Sequence, residues 1–81
     1  MKSYLLKFGQ ALRHNRMAAG LSQEELAHRS GLHRTYVSDV ERGTRNLSLW
    51  TVKKLSDALG LPASRILASV EEKSLPLRTS K

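Results

Sequence analysis

Residues 34–46 read Arg-Thr-Tyr-Val-Ser-Asp-Val-Glu-Arg-Gly-Thr-Arg-Asn, and most of these side chains are of types able to hydrogen-bond base edges or phosphate oxygens. A guanidinium at Arg34 can bond guanine O6 and N7 together, and Thr35 can offer a hydroxyl or a methyl group to a base edge. Ser38 lies one helical turn further on and shares that face. The plainer alternative is a solvated helix face, with Arg34 touching only phosphate or water and Ser38 facing solvent. Asp39 fits the surface less well, because phosphates repel a carboxylate. It can accept from cytosine N4, discourage wrong sequences, or pair with Arg42 or Arg45, and pairing is the preferred assignment. Tyr36 places its hydroxyl on a phosphate or its ring against the groove wall, or else its ring fills the core against the preceding helix; the residue type alone leaves these open. Arg42, Arg45 and Asn46 suit the sugar–phosphate backbone, where they would add salt-sensitive affinity and little sequence information.

These residues need a helix to present them, and the sequence supplies one with its support. Ser22 and Glu25 form an S-x-x-E capping box that opens a helix over Gln23 to Ser30, burying Leu26 and Ala27. Gly31 ends it, and Leu32 anchors the turn. A further helix starts near His33 or Arg34 and stops at Gly43, with Val37 and Val40 on its inner face. Two short helices hinged at a glycine, the second polar on its outer side, are the pattern of a helix-turn-helix, which sets one helix in the major groove of DNA.

The rest of the chain reads as scaffold. Ser3 can cap a first helix reaching about Ala19, with Leu5, Phe8, Leu12 and Ala19 at helical intervals and Gly20 as the stop. After a polar loop over residues 44–47, Ser48 caps a fourth helix whose stripe is Leu49, Val52, Leu55 and Leu59, closed by Gly60. Pro62 stands near the start of a fifth, where its missing N–H costs nothing, and Ile66, Leu67 and Val70 make that helix apolar on one side. No alternating β-branched run suggests a strand. The expected architecture is all-α: five helices in one DNA-binding domain over residues 3–70, followed by a frayed, charged tail over 71–81.

Composition agrees with a small basic domain. Fourteen Lys and Arg against seven Asp and Glu give a net charge of +7, which favours a polyanionic partner without specifying one. There is no cysteine, so the fold rests on packing, without disulfides or thiolate metal sites, as suits a reducing cytoplasm. Met1–Leu6 is too short an apolar stretch for a signal peptide, and nothing approaches the ~20 apolar residues of a membrane span. His14, His28 and His33 lack metal-ligand spacing, and no carboxylate pair or Gly-rich phosphate loop joins them. No metal, cofactor or catalytic residue is expected.

Leu21-Ser22-Gln23-Glu24-Glu25-Leu26-Ala27, then Gly31, then Val37-Ser38-Asp39-Val40-Glu41-Arg42-Gly43 resembles the Cro/C1-type (XRE) helix-turn-helix regulators over roughly residues 8 to 67. The resemblance implies a five-helix lambda-repressor-like fold. Within that family, His33 to Ser38 and Glu41 to Ser48 are most similar to restriction–modification controller proteins, which are small homodimers. Many relatives have proline where this chain has Leu47. The resemblance further implies that Gln23, at the start of the second helix, holds a phosphate together with the helix-end amides, rather than serving as an ordinary first-turn residue. It also implies a partly buried, structural ion pair between Arg16 and Glu41.

Trp50, Ile66, Leu67 and Val70 exceed what a four-helix core requires. Either the fifth helix caps its own protomer, or these residues build a homodimer interface. The second is preferred, since paired half-sites call for a two-fold axis. The implied protein is a homodimeric regulator of double-stranded DNA on a pseudo-palindromic operator in a bacterial or phage-encoded, cytoplasmic setting. A contact with RNA polymerase is left open. The alternative is an antitoxin-type interaction module with DNA-binding autoregulation.

Overall fold

In a computed structural model of the chain, residues 2–71 are described. They form five helices: α1 (Lys2–Ala18), α2 (Gln23–Ser30), α3 (Arg34–Arg42), α4 (Leu49–Leu59) and α5 (Ala63–Glu71). There is no strand among the described residues. The expected tail from residue 72 onward lies outside them, and Glu71 belongs to α5.

Local chemistry explains most boundaries. The Ser22 hydroxyl accepts from the Glu25 N–H at 3.0 Å, and the Glu25 carboxylate accepts from the Ser22 N–H at 2.8 Å. Those bonds, the Ser22 N–H foremost, hold the Glu25 carboxyl below its usual pKa. Ser48 caps α4 by accepting from the Thr51 N–H at 3.1 Å. The Arg65 N–H bonds the Pro62 carbonyl at 2.9 Å, so Pro62 stands just before α5. Ser3 does not cap α1. The helix already includes Lys2, and Ser3 sits exposed in its first turn, because lysine extends a helix readily.

The core gathers one side of every helix: Phe8 and Leu12 from α1, Leu26 and Ala27 from α2, Val37 and Val40 from α3, Val52 and Leu55 from α4, Ile66 and Val70 from α5. Burying each of the large ones is worth about 1.5–3 kcal/mol. Leu47 packs against this cluster from the loop before α4. Leu49 departs from the expected stripe and is 85% exposed. At about 100° per residue it points some 70° away from the centre of Val52, Leu55, Ser56 and Leu59.

Ile66 and Val70 correct the expected interface. They are 0% and 1% exposed within this one protomer, so α5 closes its own core and neither residue is free to meet a second copy. α5 packs against α1 and α4, and its apolar side joins the same core as Leu12 and Leu55. Trp50 is exposed and Leu67 half-buried.

Close packing sets how α1 meets α3. A Cβ added at Gly9 would stand 2.5 Å from the carbonyl oxygens of both Val40 and Glu41, so only glycine lets the helices approach this far. Gly43 is restricted twice over. It ends α3 with φ 75°, and an added Cβ would lie 2.8 Å from the Leu6 Cα.

Candidate nucleic-acid interface

Val37 and Val40 hold α3 against the core at 0% and 1% exposure, and this decides which side of the helix faces out. His33 enters α3 in an extended conformation without a side-chain cap. The helix therefore opens with Arg34 and Thr35 on the surface, and both are exposed. Ser38 and Asp39 follow on the outer side and are half-buried by their neighbours. Arg42, Arg45 and Asn46 are exposed along its C-terminal end and the loop beyond.

The outer side is wired together. Arg42 Nη1 donates to the Ser38 hydroxyl at 2.8 Å, and Arg42 Nη2 donates to Asp39 Oδ1. Arg45 Nη2 donates to Asp39 Oδ2 at 3.0 Å. The Arg45 guanidinium also lies over the Tyr36 ring, 4.8 Å from its centroid. Tyr36 is half-buried and packs against the core, so its ring serves the interior on one side and supports Arg45 on the other. Asp39, for which contact with cytosine N4 and pairing with Arg42 or Arg45 were the alternatives, has both carboxylate oxygens engaged by these arginines. Ser38 accepts from Arg42 but keeps its own O–H to donate.

The inner side carries a second polar cluster. Arg16 Nε donates to Glu41 Oε2 at 2.7 Å, and Arg16 Nη2 donates to Glu41 Oε1 at 3.1 Å. Arg16 Nη1 donates to the Leu21 carbonyl at 2.8 Å. The two side chains are 11% and 4% exposed. Gln23 joins them, donating from Nε2 to Glu41 Oε1 at 3.0 Å. Glu41 thus bonds α1 and α2 from α3. Sequence reasoning missed the third member, because 18 residues separate Gln23 from Glu41 and no local pattern links them. Gln23 still stands half-buried at the first turn of α2, beside the helix-end amides.

Away from α3, Tyr4, Leu5, Leu47, Leu49, Val52 and Leu67 line a shallow, largely apolar groove between the N-terminal part of α1 and the start of α4. Trp50 is exposed beside Leu49, with the Lys54 ammonium 5.6 Å from the centre of its ring. No helix among the described residues is long and apolar enough to cross a membrane.

A family profile described as helix-turn-helix matches residues 12–66. The chain is 51% identical over 63 residues to the control protein C.BamHI of Bacillus amyloliquefaciens, covering 76% of this chain and 78% of that one. It is 37% identical over 73 residues to the control protein C.MunI of a Mycoplasma species, covering 89% and 99%. Among solved structures, the restriction-modification controller protein C.AhdI from Aeromonas hydrophila superposes with a TM-score of 0.74 at 57% identity, over 78% of this chain and 94% of that one.

Proposed function

The chain belongs to the helix-turn-helix family, and we propose that it is a sequence-specific DNA-binding transcriptional regulator of the restriction–modification controller type. The observation that carries this is the outward face of α3, opened by Arg34 and Thr35 over a buried valine stripe. Arg34 reads guanine through O6 and N7, Thr35 contacts the neighbouring base, and Ser38 donates its free O–H. Gln23, Arg42, Arg45 and Asn46 bond phosphates on either side, and Tyr36 acts there through the arginine it supports.

The working unit is a homodimer that places two α3 helices ~34 Å apart on a pseudo-palindrome. With Ile66 and Val70 spent on the protomer's own core, the surface left for a second copy is Trp50 with Leu49, Leu67 and the adjoining groove. Operator position relative to the promoter sets the sign of regulation, and a contact with RNA polymerase is one route to activation. The setting is the bacterial cytoplasm, and the role is regulation, not catalysis.

The test is selection of an operator from random duplexes, followed by affinity measurements at fixed salt. Arg34→Ala is expected to weaken operator binding about 10–100-fold, with little change on random duplex. Equal losses on both would remove the base-reading role, and a selection that enriches no sequence would remove the function.

A further inference from the structure

Between Leu26 and Ser56 the chain carries only two acidic residues, Asp39 and Glu41. Glu41 is turned inward, 4% exposed and bonded to Arg16 and Gln23. Asp39 is therefore the one carboxylate on the outer side of α3 and the loop after it. It stands between two cations, each bonded to a different oxygen of the same group. Both arginines remain accessible, at 61% and 48% exposure, while the carboxylate between them is 18% exposed. This is a costly place for a negative charge if the surface exists only to attract phosphates.

We propose that Asp39 is a specificity-determining residue that suppresses sequence-independent DNA binding. The inference rests on the reading that α3 meets DNA. Arg42 and Arg45 form contacts that carry no sequence information. With Asp39 between them, the pair presents one net positive charge instead of two, and an approaching phosphate must share its guanidinium donors with the carboxylate while being repelled by it. A duplex in any register therefore gains little from this flank. Each guanidinium has five N–H donors, so both can still bond phosphate while Asp39 fixes their direction. That arrangement becomes favourable when Arg34 and Thr35 find their bases and hold α3 in one register. Asp39 thus acts as a built-in penalty on the wrong complexes, and weighs less on the right one.

The experiment compares Asp39→Asn and Asp39→Glu with the unchanged protein on a selected operator, on random duplex and across a salt series. Exposed ion pairs contribute little to folding, so both variants are expected to fold normally, checked by circular dichroism. Asp39→Asn should tighten binding to random duplex by about five- to tenfold, the effect of one charge near a phosphate in a watery setting. Its salt dependence on random duplex should steepen by about one unit of logarithmic slope. Operator affinity should change by less than about threefold, so the ratio of the two falls. Asp39→Glu, which keeps the charge, should stay near the unchanged protein on both. Random-duplex affinity unaltered in Asp39→Asn, or a rise of the same factor on operator and random duplex, would overturn the proposal. An unchanged protein that discriminates normally beside an Asp39→Asn that does so equally well refutes this proposal alone. An unchanged protein that binds no duplex refutes the functional reading with it.

Discussion

Substitution of Glu41 by alanine should be among the most destabilising single changes available to this chain. Its carboxylate accepts three hydrogen bonds, two from Arg16 and one from Gln23, at 2.7 to 3.1 Å. Arg16 is 11% exposed, and among the described residues its other side-chain bond in the cluster goes to the Leu21 carbonyl. Removing Glu41 leaves a guanidinium with little access to water and two of its bonds unmade. Breaking a buried pair from one side costs about 3–5 kcal/mol. At ~4–8 °C of Tm per kcal/mol for a domain of this size, a loss of about 3 kcal/mol lowers Tm by roughly 12–24 °C. Urea unfolding followed by circular dichroism, at one fixed protein concentration because association would shift the midpoint, measures this directly. Glu41→Gln should recover little. Its amide presents one acceptor where three donors converge, and its NH2 must face another donor. The double variant Arg16→Met/Glu41→Leu should be much less damaged than Glu41→Ala, since no charge is stranded. A Glu41→Ala midpoint within about 1 kcal/mol of the unchanged protein would refute the reasoning, because it would mean that Arg16 is solvated after all.

Other consequences follow from single contacts. Gly9→Ala should cost about 1–3 kcal/mol or more in urea unfolding, because a Cβ would meet the Val40 and Glu41 carbonyls at 2.5 Å; an unchanged midpoint would show that α1 and α3 can separate freely. Trp50→Glu should leave the helical signal intact, since the ring is exposed, while sedimentation shifts from dimer to monomer; a dimer of unaltered strength would move the interface elsewhere. Glu25 has its folded-state pKa lowered, chiefly by the Ser22 N–H, so its stabilising contribution is complete above the ordinary glutamate value and disappears as pH falls through the lowered one. Glu25→Gln should flatten that part of the acid limb in a series of melts taken from neutral pH downward, and an acid limb of identical shape would deny the capping carboxylate its role.

The helix boundaries were largely legible because they are local. The Ser22–Glu25 box and the glycines at 31, 43 and 60 act within one turn of the backbone they terminate. The outward side of α3 was legible for a related reason: Val37 and Val40 mark the buried side, and what remains must face out. The covering of an apolar face is a different matter. Periodicity shows that Ile66 and Val70 want to leave water, but a neighbouring helix and a second copy of the chain satisfy that equally well. Only the three-dimensional packing places them inside the protomer. Ser30 and Ser56 were hidden by the reverse effect. Each is buried, yet each hydroxyl bonds a carbonyl three residues earlier in its own helix, at 3.2 and 3.0 Å. A serine satisfied in this way looks, in sequence, like one on the surface.

Asp39 and Glu41 show why the type of a residue says less than its angle on the helix. Two residues apart, they are separated by about 200° around α3 and so face opposite ways. Glu41 looks inward and ties α3 to α1 and α2, fixing the pose in which the outer face is offered. Asp39 looks outward, and its arginine partners are exposed, so its loss should barely touch folding. The two carboxylates therefore separate stability from selectivity on a single helix of nine residues. Neutralising Glu41 should change unfolding far more than it changes the ratio of operator to random-duplex affinity in the protein that remains folded. Neutralising Asp39 should do the converse. If one substitution moved both quantities together, orientation of the helix and charge of its outer face would have to be a single property, and the division of labour argued from their geometry would be wrong.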